Sequence, residues 1–394
     1  MSDALRISRL ALSPDRRRVT ATVDGNEIFF ETDDVPLTPA PESLAGAMLL
    51  AALQTNRPLI VEDPLESGWL ENAEKLSDVF GRWWNYPRQS PIVCDQKSAA
   101  AGPVIDASAA CFTGGVDSFH LQLKGDHPTP SLVFVQGFDI LLEETVRFGR
   151  FKESMRAVCD RLGKKSVIVR TNLSVHPTFK LVSWERSHAA ALAAVAHVLG
   201  GAFGTFVIPS SFTPSENMVW GSHWRTDPLW SSSRVKMLVG DADLNRTQKI
   251  FALAGEELAQ SHLRVCFMRT DELNCSRCPK CLRTMTILKA AGTLDKFSVF
   301  EQKTPLAELI DGIQYLGIES LPRFSKLLQE DLPADVKRAW RNVFRRTYKR
   351  YHPSLLRRSV RRVRSLLRGG IQVLAANEKG LRVPGSELRV QAKH

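Results

Sequence analysis

Two clusters in this 394-residue chain combine residue types and spacings that could do chemistry. The first is Cys111-Phe-Thr-Gly-Gly-Val-Asp-Ser-Phe-His120, an apolar run leading through a glycine pair into a helix-like stretch. Gly114 and Gly115 permit positive φ and close backbone approach, so successive N–H groups can converge on an anion. Ser118 and the following helix N-terminus add donors and the positive end of a dipole. Asp117 is poorly placed to bind a phosphate alone but well placed to hold Mg²⁺ on one. The loop lacks both the Gly-Lys-Ser/Thr ending of a Walker A motif and a GxGxxG pattern.

The second cluster is Cys266, Cys275, Cys278 and Cys281, spaced C-x8-C-x2-C-x2-C. Four thiolates at such intervals can close tetrahedrally round Zn²⁺ and leave no open position, the mark of a structural site. Three closely spaced cysteines also suit an iron–sulfur cluster, so both readings stand. The last two ligands run into a helix that stops near Gly292. Cys94, Cys111 and Cys159 read as ordinary buried residues; their functional alternative is sulfur transfer.

These residues need elements to hold them. Ala107–Phe112, Leu132–Gln136, Ser166–Arg170 and Phe203–Ile208 are short apolar runs that predict strands, with helices over Glu143–Leu162 and Glu185–Leu199. Strands alternating with helices predict an α/β fold, a doubly wound, mostly parallel sheet. Ala189–Pro209 carries no Lys, Arg, Asp or Glu but is broken by Gly200-Gly201, so it reads as a buried helix and strand rather than a membrane span.

The string Thr113-Gly114-Gly115-Val116-Asp117-Ser118 resembles the SGGxDS signature of the PP-loop ATP pyrophosphatases, with Thr113 for the first Ser. That resemblance implies a Rossmann-like fold in which the loop grips the β,γ-pyrophosphate of ATP while a substrate oxygen attacks the α-phosphorus. Thr113, Gly114, Gly115, Val116, Asp117 and Ser118 become the ATP and Mg²⁺ contacts, with Asp117 and Ser118 the catalytic pair and Gln136–Asp139 a neighbour of adenine. The four-cysteine spacing is similar to that of the 7-cyano-7-deazaguanine synthase family of the queuosine pathway. That family adenylates a carboxylate for attack by ammonia, holds a structural zinc, and is often dimeric. It also implies a basic residue facing the phosphates, for which Asn245-Arg-Thr-Gln-Lys-Ile250 offers Arg246. The likeness covers roughly Ala107 to Gly292, under half the chain.

The rest departs from that family. Residues 1–100 read as a separate α+β domain: a hairpin of Val19–Val23 and Glu27–Glu31 about Asp24-Gly25-Asn26, then helices over Leu44–Leu53 and Trp69–Trp84. The boundaries that follow are an ATP-binding domain at 101–262, a zinc segment at 263–300 and a basic helical region at 301–394. Ser210–Ser233 follows the fourth strand, where open α/β sheets bind ligands. Its Trp220, Trp224 and Trp230 form either a stacking wall or loop anchors, with His223, Arg225 and Asp227 as polar contacts.

Net charge is +11, yet Lys337–Arg368 alone holds thirteen Lys and Arg, so the remainder is close to −2. Two basic amphipathic helices are expected there, one on each side of His352-Pro353-Ser354. They present a solvated face, or a grip on RNA phosphates or anionic lipid. Seven cysteines in 394 residues exclude a disulfide-stapled scaffold, and no apolar leader opens the sequence, so a cytoplasmic location is expected. The function expected is ATP-dependent adenylation of a carboxylate. A tRNA-thiolating enzyme and a non-catalytic nucleotide-binding protein are the alternatives.

Overall fold

The computed structural model describes residues 4–99, 105–125, 127 and 129–352. The chain opens with β1 (Leu5–Leu12), β2 (Arg18–Val23), β3 (Asn26–Glu31), α1 (Pro41–Thr55), β4 (Leu59–Val61), β5 (Leu65–Glu66), α2 (Ser67–Trp84), β6 (Ile92–Cys94) and β7 (Lys97–Ser98). It continues with β8 (Ser108–Cys111), α3 (Val116–Leu123), β9 (Ser131–Gln136), α4 (Thr145–Leu162), β10 (Lys165–Thr171), α5 (Trp184–Val198), β11 (Thr205–Pro209) and β12 (Lys236–Gly240). The last elements are α6 (Arg246–Leu253), α7 (Glu257–His262), α8 (Pro279–Ala290), α9 (Leu306–Asp311), α10 (Leu321–Ser325) and α11 (Ala334–Tyr351).

Ten strands form one sheet in the order β12-β11-β8-β9-β10-β3-β2-β1-β4-β6. The five from β12 to β10 are mutually parallel, with β8, the first of them in the chain, at their centre. That is the doubly wound order, and its reversal point lies between β8 and β11, where the crevice for a ligand opens. The expected α/β architecture is therefore present.

The first hundred residues, expected to stand apart, share this sheet. β3 pairs antiparallel with β10 through Arg170↔Glu31 and Thr171↔Phe30. The β2–β3 hairpin turns on Asp24 and Gly25, both at positive φ (49° and 82°), a type I′ turn whose twist matches the strands it joins. In β2, Val19, Ala21 and Val23 face inward and alternate with polar residues, which fixes the register.

Both faces of the sheet are covered. On one, α1, α2 and α5 bury a core running from Leu5 to Met237. Six alanines of α5 are at most 1% exposed, and their small side chains let α1 pack closely against it. The charge-free Ala189–Pro209 stretch is thus interior. Among the described residues no helix is long and apolar enough to cross a membrane. On the other face, α3, α4, α6, α8, α9 and α11 enclose a second core. The expected basic helix is α11, whose Val336, Ala339, Trp340 and Val343 are buried there. The second basic helix, beyond His352, lies outside the described residues.

Candidate functional site

β8 ends at Cys111 and the chain turns through Thr113, Gly114 and Gly115 into α3. Gly114 takes φ +72°, and a Cβ there would sit 3.4 Å from both Arg264 and Phe151. The Thr113 hydroxyl accepts from the Gly115 N–H (3.3 Å), bracing the turn. The first-turn N–H groups of Val116, Asp117 and Ser118 have no intrahelical acceptor and open toward the crevice. Ser118 is brought to the turn, but its hydroxyl donates inward to the Gly115 carbonyl (3.0 Å).

Arg246 opens α6 beneath a capping box in which Asn245 and Gln248 satisfy each other's backbone N–H groups. Its guanidinium reaches back to Asp117, with Nε 3.4 Å from Oδ1 and Nη2 bonded to Oδ2. Ser211 donates to the same carboxylate (3.0 Å). Burial pushes the Asp117 carboxyl up, but the charges of Arg246 and Lys249 and the bonds from Arg246 and Ser211 outweigh it. Asp117 is therefore held below its ordinary value and is ionised at neutral pH. Lys249 is itself wholly buried, its Nζ on the Ser210 carbonyl (2.7 Å).

A cavity of about 390 Å³ lies over the turn, lined by Arg246, Arg264, Lys280, Arg283 and Arg323 against Asp117 and Asp139. Five cations face two carboxylates, so the site favours a polyanion. Arg264 Nε donates to the Thr113 carbonyl (2.9 Å) and Nη2 to Asp139 (3.0 Å), while Nη1 is buried without a partner. Burial, with Arg246 and Arg323 close by, pushes the Arg283 guanidinium down to about 10. That is the signature of like charges gathered where an anion would relieve them. Sequence reasoning missed Arg264, Lys280, Arg283 and Arg323. The only available signal was that the first three hug the cysteines, as Arg-x-Cys and Cys-x-Lys-Cys-x-Arg.

A second cavity of about 420 Å³ adjoins it along the carboxyl ends of β8, β9 and β11. Rings follow one another along its wall: Phe138 to Trp184 (5.1 Å between centroids), His188 to Trp220 (6.2 Å) and Trp220 to Phe212 (6.0 Å). The Arg323 guanidinium lies 5.9 Å from the last two rings and joins the aromatic wall to the cationic cavity. Of Gln136–Asp139, Phe138 and Asp139 line this space, whereas the Gln136 amide is spent on the Leu141 and Leu142 carbonyls.

The tryptophan loop divides. Trp220 joins the wall, Trp224 stacks on His223 at the surface, and Trp230 is fully buried beside Phe80. Asp227 is no substrate contact: it is fully buried and accepts from Ser222 Oγ (2.6 Å) and the His223 N–H (2.9 Å), tying the loop together.

Cys266, Cys275, Cys278 and Cys281 converge with their sulfurs all within 4.8 Å of one another. The Cys266–Cys278 and Cys275–Cys281 sulfur pairs are 3.9 and 4.0 Å apart. A tetrahedral ion with Zn–S near 2.3 Å requires about 3.8 Å between sulfurs. Backbone N–H groups of Met268, Cys278 and Cys281 point at three of the sulfurs (3.2–3.5 Å), which suits thiolates. The donor set thus fits a metal ion such as zinc. Cys111 and Cys159 are buried, with burial pushing the first thiol up and the second up to about 11. Against known proteins, the chain matches no family model, no curated protein and no solved structure.

Proposed function

We propose that this chain is an ATP-dependent adenylating enzyme that cleaves ATP to AMP and pyrophosphate and activates a carboxylate for attack by a nitrogen nucleophile. The observation that carries the reading is the glycine turn at the sheet's reversal point, facing five cations on one side and an aromatic wall on the other. A triphosphate needs the first and a purine the second. The resemblance of Thr113–Ser118 to the PP-loop signature supplies the reaction type.

In this reading the turn's N–H groups, Arg246, Arg264, Lys280, Arg283 and Arg323 hold the β,γ-phosphates, and adenine lies against Phe138 and Trp184. Mg²⁺, when bound, neutralises charge on the departing pyrophosphate, and the ionised Asp117 carboxylate holds it. Asp117 would hold that cation in place of its present partner Arg246, whose guanidinium would then be left for a phosphoryl oxygen. A carboxylate oxygen of the acceptor then attacks the α-phosphorus. The new P–O bond forms as the bond to the β-phosphate oxygen breaks, and that oxygen keeps the electron pair. The nitrogen nucleophile next attacks the acyl carbon and AMP departs. Preorganised donors, not a strong protein base, lower the barrier. In this reading the four-cysteine site would hold zinc rather than an iron–sulfur cluster, a choice supported by sulfurs that lie within 4.8 Å of one another.

Thiolation of tRNA gains no support from Cys111 or Cys159, whose raised thiols are poor nucleophiles at neutral pH. The test is AMP and pyrophosphate release from ATP–Mg²⁺ by wild type and Asp117→Ala, with a small-metabolite extract or with total tRNA. Stimulation by the extract, absent in the variant, is the expected result. Stimulation by tRNA alone would favour the thiolase, and release of ADP and phosphate would overturn the reading. Nucleotide binding without turnover under either condition would point to the non-catalytic alternative.

A further inference from the structure

Three of the five cations around the anion cavity are carried by the cysteine segment itself. Arg264 stands two residues before Cys266, Lys280 directly before Cys281, and Arg283 two residues after it. The connection is stiff. Asn274 Oδ1 accepts from the Val265 (2.8 Å) and Cys266 (3.2 Å) N–H groups, and its Nδ2 donates to the Leu263 carbonyl (2.7 Å). Arg147 Nη2 donates to the Cys266 carbonyl (3.2 Å). On the other side the Arg264 N–H donates to the Gly114 carbonyl (2.7 Å) and its Nε to that of Thr113. One residue, Val265, therefore separates the cysteine cluster at Cys266 from the group that clamps the glycine turn. Arg264 lines the same cavity, and its Nη1 is buried without a partner.

We propose that metal occupancy of Cys266, Cys275, Cys278 and Cys281 is thermodynamically linked to anion binding in this cavity. The ion fixes Arg264, Lys280 and Arg283 beside the turn, and a pyrophosphate-type anion in return stabilises the metal-bound form. The linkage rests on the pyrophosphate reading of the cavity, though not on adenylation. Gathering like charges opposes assembly of the site. The sulfur–metal bonds hold the cations in place against that repulsion, and the anion removes it. Such coupling is reciprocal by necessity.

The experiment uses the full metal-loaded chain with inorganic pyrophosphate as the probe, so turnover plays no part. In calorimetric titration, stripping the metal should weaken pyrophosphate binding about tenfold. Saturating pyrophosphate should in return raise the affinity for the metal, read by equilibrium competition with a chelator, by the same factor. Pyrophosphate itself binds divalent ions and by that route could only lower the apparent affinity, so a rise reports on the protein. Lys280→Gln should keep its metal yet lose most of that rise. If stripping unfolds the chain, the competition titration decides alone. Tight pyrophosphate binding with an unchanged metal affinity would overturn the linkage and leave the anion site standing. Failure of the loaded protein to bind pyrophosphate would overturn both. Binding and linkage without AMP release would sink only the adenylation reading.

Discussion

Arg264 reaches three partners from one buried position: the Thr113 carbonyl, the Gly114 carbonyl through its own N–H, and Asp139. Its one mark in the sequence is its place two positions before Cys266, since a single basic residue has neither period nor motif of its own. Arg246 was singled out by the family resemblance of Asn245–Ile250 alone, and the capping box of Asn245 and Gln248 that sets it at a helix start is seen only in the structure. The pairing of Arg246 with Asp117 across 129 positions of chain was not legible either. Replacing Arg246 with Gln is expected to lower AMP release about 10²–10³-fold, the usual cost of a lost preorganised donor, measured by initial rates at saturating ATP. Unchanged rates would remove Arg246 from the site. A second residue sets a pH limit. Burial pushes the His197 imidazole down to about 4, and its Nε2 lies 2.9 Å from the Trp230 carbonyl, so it must be the neutral donor. A folded value below the unfolded one near 6.5 means its contribution is complete above pH 6.5 and lost as pH falls toward 4. The loss can reach about 3 kcal/mol. Buried Asp227, raised to about 7, acts in the opposite direction over the same range. Denaturant unfolding of wild type against His197→Gln across pH 4–7 isolates the histidine: the difference in stability should change with pH only in that window.

At the scale of elements, local signals were strong wherever side chains face one predictable surface. The hairpin at Asp24-Gly25 and the strands at 131–136 and 165–171 fall where alternation and apolar runs put them. β12 was missed, because Lys236-Met-Leu-Val-Gly240 offers only three consecutive apolar residues, and it is pairing with β11 that makes it a strand. The amphipathic pattern of α11 was readable, but what covers its apolar stripe was not. Trp340 is fully buried and its Nε1 donates to Thr286 Oγ1 (3.0 Å) on α8. That stripe is committed to the protein core, so α11 offers solvent its arginines rather than a face for inserting into a bilayer. Trp340→Ala should destabilise the fold by about 3–5 kcal/mol in chemical denaturation. A loss below 1 kcal/mol would show α11 to be loosely docked. Gly137 marks the opposite case, a backbone demand: at φ +109°, a Cβ would fall 1.9 Å from the Thr171 carbonyl oxygen. Gly137→Ala is expected to lower stability by at least about 2 kcal/mol and to disturb the adjoining Phe138 and Asp139.

For the whole molecule, the change near residue 100 from a hairpin with helices to strands alternating with helices suggested a boundary, and one sheet runs across it. Only two residue pairs, Arg170↔Glu31 and Thr171↔Phe30, join the N-terminal strands to β10, and no single-sequence pattern reports a pairing 140 residues apart. The core they share is what makes the two parts one body. Unfolding should accordingly be one cooperative transition, with tryptophan fluorescence, to which Trp69, Trp83 and Trp84 of the N-terminal part contribute, coinciding with far-ultraviolet circular dichroism. Two separated transitions would restore an independent N-terminal domain. The same seam has a consequence during synthesis. β3 leaves the ribosome long before β10, and at roughly 5–20 residues per second the wait for 140 residues lasts about 7–28 s. Throughout that interval the nascent hairpin shows an open strand edge carrying Phe30, the kind of edge that recruits other chains. The yield of native protein should therefore depend on translation speed across residues 31–171 and on chaperones that mask that edge.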